Sequence, residues 1–198
     1  MGTEEFKQMR GDMKAWVLGD PHCSVEVMRE AVGDKNWEVR WAAVENPSAP
    51  EDVIRAGARD ENLWVRQVAA SHLNVPEDVL RMAVGDKHWY VRKAAVENPR
   101  APEDVIRVGV GDEDATVREA AMLLDPKTPD VLLRSTLTSS RSTRVRMLIA
   151  RNRGLPEDLV RRLSKSKVKA IQEALAENPA VPEHIRVVVR MKLEAGRR

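Results

Sequence analysis

The chain has 198 residues, of which 42% are apolar, 32% charged and 4% aromatic. That apolar share admits a packed core and argues against disorder, and no apolar run reaches the length of a membrane-spanning helix. The net charge of +2 divides unevenly, at −7 over residues 1–129 and +9 over residues 130–198, an asymmetry that bears on partners.

The opening Met1-Gly-Thr-Glu-Glu-Phe-Lys7 lacks the apolar centre of a secretory leader. Cys23 is the only cysteine. An internal disulfide and a thiolate cluster within one chain are therefore excluded, and a reducing, cytoplasmic setting is expected.

Along the chain a motif recurs every 26 residues. Val39-Arg40, Val65-Arg66, Val91-Arg92 and Val117-Arg118 keep that interval, as do Asp34, Asp60, Asp86 and Asp112, and Pro50, Pro76 and Pro102. Ala42-Ala-Val-Glu-Asn-Pro-Ser-Ala-Pro-Glu-Asp-Val-Ile-Arg55 nearly repeats as Ala94-Ala-Val-Glu-Asn-Pro-Arg-Ala-Pro-Glu-Asp-Val-Ile-Arg107. Val145-Arg146 follows after 28 residues, because one extra residue stands on each side of Pro129. Ile171-Gln172 then returns at 26, and Met13-Lys14 precedes Val39 by the same step. Seven first helices are thus predicted, starting near residues 10, 36, 62, 88, 114, 142 and 168.

Each copy reads as two short helices. Asn36, Asn62, Asp114 and Ser142 are expected N-caps of first helices. Val39, Ala42, Ala43 and Asn46 fall on one helical stripe, and Pro47 ends the helix by forcing Asn46 out of the α region. Pro50 is expected to open the second helix, with Glu51 and Asp52 on the positive end of its dipole. Gly57, Gly85, Gly109 and Gly111 are expected to end these helices in a left-handed conformation. Helices this short cannot stand alone, so the expected fold is all-α: an α-solenoid of about seven helix pairs forming one elongated domain. Within it, residues 1–33 form an N-terminal capping copy, 34–137 regular acidic copies, and 138–198 basic copies with a C-terminal cap.

Trp37-Glu-Val-Arg-Trp-Ala-Ala-Val-Glu-Asn-Pro47 and Trp89-Tyr-Val-Arg-Lys-Ala-Ala-Val-Glu-Asn-Pro99 resemble the leucine-rich repeat variant family. Its units read Trp-x-Val-Arg-x-Ala-Val-Ala-x-Asn-Pro and then Pro-x-x-Val-Leu-x-x-Leu. The resemblance covers residues 13–190 and implies a right-handed superhelix with no chemistry of its own. The period here is slightly longer than that family's, and the spacing of Asp from Val-Arg is also similar to HEAT repeats. Some members of the family hold an iron–sulfur cluster through cysteines ahead of the repeats. Cys23 alone could not hold one.

The recurring Asp34 and Arg40 positions read as a ladder of hydrogen-bonded ion pairs between copies. In the sixth and seventh copies Ser140 and Ser166 take the Asp position, and Arg146 has no Asp in its own copy. Their connecting segments, Thr138-Ser-Ser-Arg-Ser-Thr-Arg144 and Ser164-Lys-Ser-Lys-Val-Lys169, carry cations and hydroxyls. If equivalent loops share an edge, Arg141, Arg144, Arg146, Arg151, Arg153, Arg161, Arg162, Lys165, Lys167 and Lys169 form a basic strip. Such a strip suits phosphate groups or an acidic protein; the competing reading is a solvated face that keeps the array soluble. It holds no aromatic residue for base stacking.

Trp37 and Trp89 share a position held elsewhere by Leu63 and Ala115, which predicts packing. Trp41 and Trp64 align with polar residues such as Gln67, Lys93 and Glu38, so both are candidate exposed anchors for a partner protein. His22, His72, His88 and His184 share no copy position and no metal-ligand spacing. Gly109-Val-Gly111 reads as a helix end, and Cys23, aligned with Ala49 and Ala101, as a packed thiol.

The expected function is a non-catalytic scaffold that docks another macromolecule, a protein before a nucleic acid. No cofactor, small-molecule substrate or membrane partner is expected. The alternatives are phosphate-backbone binding through the basic copies and, more remotely, a glycosylase on a HEAT-like frame, for which no catalytic acid can be named.

Overall fold

Caps and prolines of the repeat become helix boundaries in the computed structural model, which describes residues 2–195. The first helices are α2 (Gly11–Leu18), α4 (Trp37–Glu45), α6 (Leu63–Ser71), α8 (Trp89–Glu97), α10 (Ala115–Leu124), α12 (Thr143–Arg151) and α14 (Lys169–Glu177). Their N-caps are Arg10, Asn36, Asn62, His88, Asp114, Ser142 and Val168, the residues at which the period places seven helix starts. The side chains of Asn36, Asn62, Asp114 and Ser142 accept backbone N–H groups of the first turn, as expected of caps. The second helices are α3 (Val25–Ala31), α5 (Glu51–Gly57), α7 (Glu77–Ala83), α9 (Glu103–Val110), α11 (Asp130–Ser139), α13 (Glu157–Leu163) and α15 (Glu183–Ala195). A short helix, α1 (Thr3–Lys7), precedes them and buries Phe6. No strand occurs among the described residues, and no helix there is long and apolar enough to cross a membrane.

Two local expectations are corrected. Pro50, Pro76, Pro129 and Pro156 are N-caps of the second helices rather than their first helical residues. Their extended ψ angles let Glu51, Glu77, Asp130 and Glu157 open the turn. The glycines do not end helices in a left-handed conformation, because no described residue has positive φ. Gly57 serves close approach instead: a Cβ there would lie 2.5 Å from Cγ2 of Val44, where α5 presses on α4.

The packing forms two compact units, divided between Val105 and Ile106. In the first, α2, α4, α6 and α8 pack side by side, and α3, α5 and α7 back them. In the second, α10, α12 and α14 pack in series, with α11, α13 and α15 behind. The predicted stripe is the buried one: Val39, Ala42 and Ala43 of α4 with its C-cap Asn46, and Val145, Leu148 and Ile149 of α12 with its C-cap Asn152.

Polar ladders link successive copies within each unit. The Asn of each Asn-Pro pair reaches back one copy. Asn46 Nδ2 donates to the carbonyls of Leu18 (2.7 Å) and Asp20 (2.8 Å), and Asn98 Nδ2 to those of Ala70 (2.9 Å) and His72 (3.1 Å). Asn152 and Asn178 do the same in the second unit. Each Asn Oδ1 also accepts the N–H two residues on, so an amide that offers two donors and an acceptor fits the position. His72 fills that position in its copy: Nδ1 accepts from Asn74 N–H, which leaves Nε2–H to donate to Asn46 O at 3.0 Å.

The ion-pair ladder connects neighbouring copies, as expected, and its direction is fixed: each cation meets the Asp of the following copy. Lys14 pairs with Asp34 (2.7 Å), Arg40 with Asp60 (2.6 Å) and Arg66 with Asp86 (2.7 Å). Nη1 of Arg40 and of Arg66 donates to two carbonyls of its own loop, while Nε and Nη2 grip the next carboxylate. A second, exposed ladder joins the second helices through Arg29–Asp52, Arg55–Asp78 and Arg81–Asp104, and through Arg134–Asp158 in the second unit. Exposure makes this one worth little.

Burial pushes the Asp34 and Asp86 carboxyls up, but hydrogen bonds from Lys14 or Arg66 and from the turn N–H outweigh it and hold both below 3.8. A depressed folded pKa contributes stability above the unfolded value, and that contribution is lost as pH falls through the folded one. Urea midpoints measured from pH 7 downward should therefore fall below about pH 4. D86N should start lower at pH 7 and show a shallower decline; an unchanged slope would contradict the pairing. N98L should lower unfolding free energy by about 2–3 kcal/mol, because it strands two buried carbonyls and a turn N–H. A loss under about 0.5 kcal/mol, typical of a neutral surface change, would show that the amide ladder contributes nothing.

Candidate functional site

In the first unit, the exposed faces of α2, α4 and α6 lie beside one another, and the side chains there decide what the surface can hold. Ala15, Gly19 and Ala42 are small and make a low floor. Trp37 and Trp41 rise from successive turns of α4, and Trp64 from the first turn of α6. Together they wall an open groove of about 710 Å³ whose polar members include Glu38, Glu45 and Gln67. Burial alone pushes the Glu45 carboxyl up, and no ion pair or hydrogen bond engages its carboxylate among the described residues. Glu38 accepts only a long bond from Asn36 Nδ2, at 3.5 Å.

The aromatic edge continues beyond the groove. Trp64 lies 5.6 Å from the Tyr90 ring, Tyr90 stacks on Trp89, and Lys93 Nζ sits over Trp89. The next hollow, lined by Gln67, Ser71, Tyr90, Lys93 and Glu97, is about 240 Å³ and more polar. Gln67 and Lys93 hold the Trp41 position in their copies, so the apolar groove belongs to the first three copies alone.

Of the expected anchors, Trp64 is 44% exposed and Trp41 is half-buried, and both line the groove. Trp37 was expected to pack. It is 38% exposed and lines the groove, and Trp89 is half-buried. Trp16 is 77% exposed.

In the second unit, the loops before α12 and α14 carry the expected basic residues. Arg141, Lys165 and Lys167 are exposed, as is Lys169, which pairs with Glu173 at 3.6 Å. Arg162 donates to Thr138 Oγ1, tying the end of α13 to that of α11. Arg161 pairs with Glu157. Arg144 and Arg151 are half-buried, and both are partnered. Arg151 ends α12 and the exposed Arg153 follows it, so the helix itself, about 13 Å long over its nine residues, separates both from the Ser140 loop.

Arg118 was missed by reading each copy alone. Its Nη1 donates to the carbonyls of Asp112 (2.6 Å) and Glu113 (2.8 Å), the posture of Arg40 and Arg66. In the ladder's direction the following copy offers Ser140 to Arg118 and Ser166 to Arg146 where Arg40 and Arg66 meet Asp60 and Asp86, and no carboxylate meets either guanidinium among the described residues. Counting the interval from each Arg to the next copy's Asp would have exposed this.

The histidines do not converge: His72 is a buried ladder residue, His88 caps α8, and His22 and His184 are exposed. No group of three or more His, Cys, Asp or Glu residues with metal-holding geometry occurs among the described residues. Cys23 is half-buried, and burial followed by the charge of Asp20 pushes its thiol up. Comparison with protein-family models, curated proteins and solved structures finds no match.

Proposed function

We propose that the chain is a non-catalytic docking scaffold of the leucine-rich repeat variant type, working in a reducing, cytoplasmic setting. Its aromatic groove receives an extended segment of a partner protein. The observation that carries this reading is the convergence of Trp37, Trp41 and Trp64 on one open groove. A helix pair needs no exposed tryptophan to stack, and Gln67, Lys93 and Glu119 serve at the Trp41 position in other copies. Large, rigid, partly desolvated aromatic side chains are what anchor a partner's side chain with little entropic cost.

The walls also favour one kind of segment. Glu38 and Glu45 stand among the tryptophans without cationic partners, and residues 1–129 carry net −7. A Lys or Arg flanked by apolar residues would place its stem on the tryptophan faces and its charge beside these carboxylates.

Displayed random twelve-residue peptides selected on the chain should enrich sequences with a cation beside aliphatic or aromatic residues. W41A and W64A should each weaken the selected peptides at least tenfold while leaving the thermal midpoint within a few degrees. Selection that enriches nothing, or peptides indifferent to both substitutions, would contradict docking in the groove.

A further inference from the structure

The paired copies define what an arginine at the ladder position requires. Nη1 of Arg40 and of Arg66 is held by two carbonyls of its own loop, which aims Nε and Nη2 at the following copy. There the carboxylate of Asp60 or Asp86 accepts both, in bidentate fashion. The same Asp also accepts the N–H two residues on, from Asn62 or His88, which holds the loop in shape.

Ser140 and Ser166 keep the second of these duties and drop the first. Ser140 Oγ accepts from Ser142 N–H at 3.2 Å, and Ser166 Oγ from Val168 N–H at 3.1 Å, so the loops retain the repeat's form. Neither hydroxyl brings a negative charge. Arg118 keeps the ladder posture through Asp112 and Glu113, and Arg146 donates Nε to Ser140 O at 3.3 Å. Arg118 therefore keeps Nε and Nη2 unclaimed by any carboxylate in the repeat's posture, while Arg146, whose Nε is on its own loop, keeps its two Nη groups unclaimed; both guanidinium groups are half-buried. Arg141, Lys165 and Lys167 stand exposed on the same two loops.

We propose that these two levels bind successive phosphates of a nucleic-acid backbone, one accepting from Nε and Nη2 of Arg118 as the Asp60 and Asp86 carboxylates accept from Arg40 and Arg66, the next from the Nη groups of Arg146. A guanidinium fork matches phosphate as well as carboxylate. Neighbouring helices pack about 8–10 Å apart, so two levels in series suit a polymer of phosphates better than an isolated one. The net +9 of residues 130–198 adds affinity through counterion release. No aromatic residue follows Tyr90, so these copies offer nothing for bases to stack on and binding is indifferent to sequence. The site is independent of the aromatic groove, and either can stand without the other.

The test restores the ladder. S140D/S166D returns the repeat's own residue to both loops, so it should fold at least as stably as the parent chain. A control, S135D/A180D, adds the same charge at exposed positions away from the two loops. Fluorescence anisotropy with a labelled thirty-nucleotide single strand and the matching duplex should show binding at low salt that falls steeply as salt rises. S140D/S166D should lose at least tenfold in affinity and the control less than threefold. R118Q/R146Q should match S140D/S166D. Equal losses in S140D/S166D and the control would reduce the effect to bulk charge and overturn the site. So would unchanged binding in S140D/S166D, or no binding by the parent chain at low salt. Binding of a phosphoserine peptide in place of both nucleic acids would overturn the assignment to a backbone.

Discussion

Every copy of this protein depends on polar groups that its neighbour completes. Helices of seven to ten residues are too short to persist alone, and stacking them buries the carbonyls at their ends. The Asn of one copy supplies two N–H donors to the carbonyls of the copy before it. The Arg of one copy meets the Asp of the copy after it. These bonds run in opposite directions along the chain, so the second and third copies are each tied on both sides. Apolar burial of residues such as Val39, Ala43 and Ile54 supplies the general attraction between layers. The polar ladders set the register at which it is realised, because a slip would leave buried amides and guanidinium groups unpaired.

Once the buried faces are fixed in this way, the exposed faces of the first helices are free to differ. In the first three copies they carry Trp16, Trp37, Trp41 and Trp64 above a floor of small residues. At the Trp41 position the next copies carry Gln67, Lys93 and Glu119. The ladder can also be edited without harm to the loop, provided the substitute still accepts the turn N–H. Serine meets that condition at 140 and 166, which separates the shaping role of the aspartate from its charge. The two candidate surfaces arise from these two freedoms: varied residues on an outward face, and a ladder position stripped of its carboxylate.

Much of the fold was legible because caps, prolines and buried stripes act locally. Asn36, Ser142 and Pro47 declare helix ends from a few adjacent residues, and the starts near 10, 36 and 142 follow from them. What depends on a neighbour was harder to see. A ladder between copies was legible but its direction was not: Arg40 reaches Asp60 of the following copy, so the loss of the Asp at Ser140 falls on Arg118 and not on the copy that contains it. Gly57 looked like a helix stop and is a contact with Val44. Trp37 shares its position with Leu63, which suggests a core site, yet it is 38% exposed and walls the groove. That cations and hydroxyls crowd the loops before α12 and α14 was legible from composition. The extent of that crowding was not, since the length of α12 removes Arg151 and Arg153 from the loop.

The claim that carries the rest is that arginines at one repeat position divide into those locked by a following aspartate and those without one. Arginine side-chain ¹⁵N spectra, with exchange rates for Nε–H, test this directly on the intact chain. Arg40 and Arg66, whose Nε–H groups donate to Asp60 and Asp86, should exchange slowly and shift little on adding inorganic phosphate. Arg118 should exchange much faster, with a resonance that moves as phosphate is titrated. Equal protection of Arg40, Arg66 and Arg118, with no response of Arg118 to phosphate, would contradict it.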